Sequence, residues 1–490
     1  MVFASGIFLF IFLPVTIAGN YVLRNHSTKI RNLFLLLMSA FFYLESGVAP
    51  FLLLILSIIM NYSITLGMVF FDRERNISAK RNTLILAVIY NVGMLFVFKY
   101  LRFVMGEIPF LFGDILPEWL SCITLPLGIS FYTFQALSYV IDVYRDCSLV
   151  ERNIVNVALY ISFFPQLIAG PIVRWDSIHD TLVLENRGGY WNEGFKRFAI
   201  GLGKKAIIAN QMAVFADKAF SLLEERNLTT GFAWLGAIAY TMQIYFDFSG
   251  YSDMAIGLGK MLGFNFQENF NYPYISKSIT EFWRRWHISL SSWFKDYVYV
   301  PLGGNRCNKS RMYLNLFIVW MLTGIWHGAN YTFWLWGLFY FVFLLLEKAF
   351  TSRNSWNKGI VKRRIYIYNI FENLFSHIYT MFIVILLWVL FRADSVSQAL
   401  QFMKCMFTKG ASSVYAIGVT GLYFRNFIGY GIVAVIGCTP WVHKIKRILD
   451  KCFKQRTIQV LSEIYIVFVF ILACCVTIDS NYNPFIYFNF

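Results

Sequence analysis

Apolar runs long enough to cross about 30 Å of hydrocarbon follow one another along almost the whole chain. They fall near residues 3–23, 32–47, 48–71, 82–104, 123–143, 153–173, 196–220, 231–263, 313–347, 365–392, 426–442 and 460–478. In hydrocarbon every backbone polar group must find its partner inside the structure, and runs of this length do so as helices. The composition agrees. Of the 490 residues 58% are hydrophobic and 14% charged, against about 45–50% and about 25% in soluble domains. A soluble globular protein, a disordered chain, a secreted disulfide scaffold and a receptor with a single anchor are thereby excluded.

The expected architecture is an all-α polytopic membrane protein with roughly eleven to thirteen membrane-embedded helices, some of them re-entrant or interfacial. The runs 196–220 and 231–263 carry charges and glycines, and 313–347 reads either as one long element or as two broken around Gly324 to Asn330. The first run lacks the basic flank and small-residue cleavage site of a secretory signal, so it reads as a retained helix. With no internal repeat, no GxxxxGK[ST] motif and no long polar segment, residues 1–478 form one membrane domain and 479–490 a tail.

A net charge of +16 would in a soluble protein point to nucleic acid. Here the basic residues collect between apolar runs, so they read as topology determinants and anchors to anionic lipid headgroups, with no nucleic-acid partner. Arg24, Lys29 and Arg31 follow the first run, and Arg73, Arg75, Lys80 and Arg81 the third; Glu107, Asp114 and Glu118 fill the fourth connection. By the positive-inside rule both termini lie outside the cytoplasm. The basic runs at 353–364 and 444–456 are then cytoplasmic, and the tail NYNPFIYFNF is extracytoplasmic.

Ionisable groups inside a membrane are costly and default to function. The run QIYFDFSGYSDMAIGLGKMLG holds Asp247 and Asp253 around Gly250. Two such carboxylates fit acid–base work or a proton relay, or they cap a broken helix or pair with a neighbouring arginine. In ITEFWRRWHISLSSWFKDYVYVPLGGN, helical spacing puts Trp283, Trp286, Leu290 and Trp293 on one stripe and Arg284, His287, Ser291 and Lys295 on another. That helix fits an interface, with its tryptophans at the headgroups and its cations toward an aqueous cavity or a phosphate. No charged residue lies between Arg311 and Glu347, and His327 sits there between Trp326 and Gly328. A buried neutral imidazole suits proton abstraction from a hydroxyl, and is equally compatible with a structural role. The other histidines are scattered without an HxxxH, the eight cysteines form no CxxC, and no GxSxG occurs. No metal site, disulfide framework or serine nucleophile is expected.

FWRRWHISLSSWFKDYVYVPLGGN with His287, followed by TGIWHGANYTFWLWG with His327, resembles the signature of the membrane-bound O-acyltransferase (MBOAT) superfamily. QIYFDFSGYSDMAIGLGKMLGFNFQENF, FYTFQALSYVIDVYR and FFPQLIAGPIVR resemble the branch that O-acetylates alginate, together with relatives in peptidoglycan O-acetylation and teichoic acid D-alanylation. The resemblance implies a helical fold around a central tunnel, joining a cytoplasmic donor site to an outer acceptor site in the bacterial plasma membrane. His327 matches the family's essential histidine and His287 its supporting one. Acetyl-CoA is the implied donor, with no bound cofactor, and Arg284, Arg285, Trp326, Asn330, Asp247 and Asp253 are the candidates for donor or substrate contacts. NPFIYFNF resembles a C-terminal motif of this branch whose tyrosine, here Tyr487, carries the acyl group to a hydrolase-like extracytoplasmic partner and thence to a polysaccharide. Asn489 replaces the usual Gln, and without the resemblance Phe485, Tyr487 and Phe490 read as an interfacial anchor of the tail. The rival functions are transfer of another acyl group such as D-alanine, a transporter of acyl donors or lipid-linked sugars that makes and breaks no bond, and a non-catalytic scaffold for envelope enzymes.

Overall fold

The computed structural model describes residues 3–107, 123–184, 188–357 and 366–479, together with Ile486. Among these residues the regular structure is helical throughout. Eight segments are long and apolar enough to cross a membrane: Phe8–Asn25, Val48–Arg73, Ile77–Gly106, Trp191–Glu224, Tyr331–Ala349, Asn373–Arg392, Val414–Gly437 and Gln455–Ile478. The chain is a multi-pass membrane protein. The other apolar runs form helices that are shorter or more polar. Thr28–Leu44 and Ile129–Arg145 have 17 residues each. The run at 153–173 breaks at Phe163 into Ile154–Ser162 and Phe164–Leu167, where Pro165 sits in the first turn.

The centre of the molecule is one helix, Thr230–Leu262, of 33 residues. Thr229 caps it by accepting from Phe232 N at 3.1 Å. It ends at left-handed Gly263, where Phe264 N reaches back to Gly259 O at 2.8 Å. Apolar on every face, it has to be sheathed by protein, and nearly all its residues from Phe232 to Leu262 are buried, Asp247 and Asp253 included.

The helix Trp191–Gly203 sheathes it most closely. Gly194 and Gly201 on one helix face Gly257 and Gly250 on the other, a spacing of seven in both that pairs them antiparallel. A Cβ on Gly201 would stand 2.6 Å from Gly250 O, and one on Gly257 would stand 2.6 Å from Gly194 O. The two backbones therefore touch, as small-residue crossings in membranes allow. Immediately after, a π-helical turn at Lys204–Ala209 turns two successive lysines toward the central helix.

The run at 313–347 is two helices, Lys309–His327 and Tyr331–Asn357. They pack closely, because a Cβ at Gly324 would lie 2.5 Å from Phe333 O. The stretch around His287 departs from the expected single helix: Ile279–Arg285 ends there, His287 is left-handed with φ +45°, and Ile288–Phe294 begins anew. The cause is Asn269, whose carbonyl accepts Ile288 N at 3.0 Å and whose side chain accepts Ser289 N at 3.2 Å, in place of intrahelical partners. The tryptophan stripe also faces protein instead of headgroups. Trp283 packs on Trp320, Trp286 on Trp388 and Trp293 on Phe134, at centroid separations of 4.8, 5.0 and 4.2 Å.

Gly201→Ala should lower the thermal unfolding midpoint of the detergent-solubilised protein, by the equivalent of about 1–3 kcal/mol, because the new methyl meets a main-chain carbonyl that cannot move aside. Gly67→Ala, where a Cβ meets nothing within 4 Å, should be neutral or stabilising by about 1 kcal/mol. Equal losses in both variants would dismiss the glycine crossing as the cause.

Candidate active site

His327 is the last residue of its helix, and that helix end is held from outside. Lys99 Nζ donates to Trp326 O at 2.5 Å and to Ser130 Oγ at 3.2 Å, while Tyr100 Oη donates to Ile325 O at 2.7 Å. Last-turn carbonyls lack intrahelical partners, and a cation there also meets the negative end of the helix dipole. Lys99 and Tyr100 close a π-helical turn, Phe96–Tyr100, within the Ile77–Gly106 span. The imidazole of His327 is 4% exposed and ringed by Trp326, Trp336 and Phe391, at centroid distances of 4.9, 5.2 and 5.0 Å.

His287 is 1% exposed. Its Nδ1 lies 3.1 Å from Asn269 Oδ1, which also accepts from Ser289 N at 3.2 Å and from Ser289 Oγ at 2.9 Å. Since a backbone N–H can only donate, that Asn269 atom is the carbonyl oxygen, and Nδ1 of His287 carries the proton. Asn269 Nδ2 in turn donates to Ser252 Oγ on the central helix at 3.0 Å. Nε2 of His287 then presents a lone pair, buried and without a hydrogen-bond partner among the described residues.

Trp326 joins the two histidines. Its ring centroid is 6.1 Å from that of His287 and 4.9 Å from that of His327, and it stacks on Phe134 at 5.5 Å. Its indole N–H is buried with no acceptor among the described residues. The structure thus gathers His287, His327 and Trp326 into one buried, aromatic-walled centre.

The other candidates have partners or surroundings of their own. Arg284 is exposed and lines a cavity of about 230 Å³ with Trp283, Ser291 and Thr323. Arg285 is already engaged, by Glu281 at 2.9 Å and by Asn271 O at 3.1 Å. Asn330 caps the following helix through Thr332 N and donates to Asp394 O. Asp253 is held by Arg197 and Lys204, each at 2.7 Å, and Asp247 by Lys205 at 2.6 Å. Of the alternatives open for the two carboxylates, ion pairing with neighbouring cations is the arrangement present. Tyr487 lies outside the described residues, although its neighbour Ile486 does not.

Sequence reasoning passes over Asn269, Lys99 and Lys205. Lys99 is visible as the one cation inside LFVFKYL, and Lys205 as the second lysine of the pair in GLGKKAIIA. Asn269 lies 18 residues from His287 and carries no charge, so only the folded chain connects them.

Comparison with known proteins matches residues 145–389, which include both central histidines, to the membrane-bound O-acyltransferase family. The probable alginate O-acetylase of Pseudomonas aeruginosa is 42% identical over 450 residues, covering 89% of this chain and 81% of that one. The Pseudomonas putida counterpart is 40% identical over the full length of both. The peptidoglycan O-acetyltransferase of Helicobacter pylori is 32% identical over all of this chain and 98% of its own. The teichoic acid D-alanyltransferase of Bacillus subtilis is 31% identical over 47% of this chain and 60% of its own. With its helices, its paired histidines and these relatives, the chain belongs to the membrane-bound O-acyltransferase family and is a membrane O-acyltransferase.

Proposed function

We propose that the chain takes an acetyl group from cytoplasmic acetyl-CoA and passes it across the bacterial plasma membrane for O-acetylation of an extracytoplasmic polysaccharide. The observation that carries the chemistry is the pair of buried imidazoles on either side of the Trp326 indole. The acyl group and acceptor class are supported by relatives named for O-acetylation of alginate and peptidoglycan, which align over most or all of the chain. The D-alanyl relatives align over less than half of it.

Acetyl-CoA enters from the cytoplasmic side, where the exposed guanidinium of Arg284 is suited to a phosphate. The attacking hydroxyl is that of Tyr487, in a tail that lies outside the cytoplasm with the N-terminus. Its oxygen bonds to the thioester carbonyl carbon as His327 accepts its proton, a role worth about 10²–10⁴ in rate. The C–S bond then breaks, and the departing thiolate takes that proton from the imidazolium and leaves as CoA thiol. His287, protonated on Nδ1 by its bond to Asn269, has no Nε2 proton to offer an oxyanion. It orients the donor by accepting a hydrogen bond at Nε2. The negative charge on the thioester oxygen falls instead to the indole N–H of Trp326, which has no other acceptor among the described residues. A hydrolase-like extracytoplasmic partner then moves the acetyl group from Tyr487 to the polysaccharide.

Incubating the purified protein with acetyl-CoA and weighing the C-terminal peptide should reveal one added acetyl group on Tyr487 in the wild type and none in His327→Ala. An acetylated Tyr487 in that variant would remove His327 from the reaction; acetyl-CoA consumption that needs His327 but leaves the peptide unmodified would make transfer direct. Trp326→Phe keeps the aromatic wall and deletes the donor, so kcat should fall about 10²-fold with little change in KM for acetyl-CoA; an unchanged kcat would reject the indole as the oxyanion donor. Asn269→Ala, which frees the His287 tautomer, should reduce kcat by about tenfold or more while the protein remains folded, and its pH–rate profile should shift. A profile and rate equal to wild type would show that Asn269 only braces the helix break.

A further inference from the structure

Asp247 and Asp253 sit six residues apart on the central helix and are satisfied differently. Both oxygens of Asp253 are taken by side chains of the Trp191–Ala209 segment: Oδ1 by Arg197 and Oδ2 by Lys204. On Asp247 only Oδ1 is met in that way, by Lys205 Nζ at 2.6 Å. Its Oδ2 accepts a main-chain N–H from 239 residues further on, that of Ile486 in the C-terminal tail, at 2.9 Å. Asp247 and Lys205 are 1% and 3% exposed. A buried ion pair contributes little stability of its own and needs further hydrogen bonds to be tolerated, so an oxygen left for a distant strand of chain is a binding feature.

We infer that the Asp247–Lys205 pair is a dock for the main chain of the protein's own C-terminal segment. The contact is to a backbone amide, so the dock holds the chain at that residue without reading the side chain at 486. Ile486 adds an apolar contact, its half-buried side chain packing on the core. The dock also lies next to the reaction centre. Phe248, the residue after Asp247, sets its ring perpendicular to that of His287 at 4.6 Å. Ile486 precedes Tyr487 in the sequence, so a tail held at Ile486 is held one residue from the proposed acyl carrier. Asp247 and Lys205 are in this account positioning residues, and their catalytic consequence rests on the relay reading.

The test is hydrogen–deuterium exchange at the Ile486 amide, resolved by peptide fragmentation in the full-length detergent-solubilised protein. Asp247→Ala should speed exchange there by about tenfold or more, as loss of a hydrogen bond to a charged acceptor requires, and Asp247→Asn, which retains a carbonyl, should fall between. The double variant Asp247→Leu/Lys205→Met removes both charges, keeps the helix crossing apolar and should expose the same amide; it serves where the single variant unfolds. Exchange at Ile486 identical to wild type in the folded double variant overturns the dock. Acetylation of Tyr487 is measured on the same samples. A Tyr487 never acetylated in wild type, with Asp247-dependent protection intact, removes the relay and leaves the dock standing. Wild-type acetylation in the double variant, with unchanged protection, removes the dock and leaves the relay.

Discussion

The backbone contact between Trp191–Gly203 and the central helix governs what the interior of this protein can hold. Four glycines, paired in antiparallel register, let the backbones of two helices come into contact. At that distance Arg197, Lys204 and Lys205 reach Asp253 and Asp247 directly. Without the close approach the carboxylates would be unpaired in an apolar interior, at a cost of several kcal/mol each. With it, a helix apolar enough to lie at the centre of a membrane protein also carries two carboxylates.

The reaction centre obeys a second constraint, that helices end where their histidines are wanted. His287 sits at a break imposed by Asn269, and His327 at a terminus whose carbonyls are taken by Lys99 and Tyr100. In each case groups distant in sequence replace the hydrogen bonds that the helix gives up. An imidazole at such a terminus is fixed by the fold, with its helix end anchored from outside the helix.

Much of this is legible in the order of the residues. Hydropathy is enough for the class of fold, and two polar islands in apolar sequence single out His287 and His327. The motifs around them carry the family. Periodicity misleads over the stretch from Ile279 to Phe294, because a regular tryptophan stripe persists across a break that is imposed by an uncharged asparagine outside it. Periodicity also assigns those tryptophans to headgroups, since a buried aromatic wall and an interfacial belt have the same composition. Arg285 and Asn330 are attractive by type alone, and their neighbours Glu281 and Asp394 occupy them in structural bonds. Lys205 reads as one of several charges in its run until the fold sets it against Asp247, 42 residues away in the chain.

The grip of Lys99 on Trp326 O has a mechanical side. The helix that supplies it, Ile77–Gly106, is one of the more outward-facing spans, with most of its surface turned away from the protein interior. The position of His327 is therefore referenced to a helix with a largely outward-facing surface, the kind of element on which a mismatch in bilayer thickness acts at fractions of a kcal/mol per Å. The lipid surroundings thus form part of the frame that aligns the imidazole, and the enzyme's geometry is a property of protein and bilayer together.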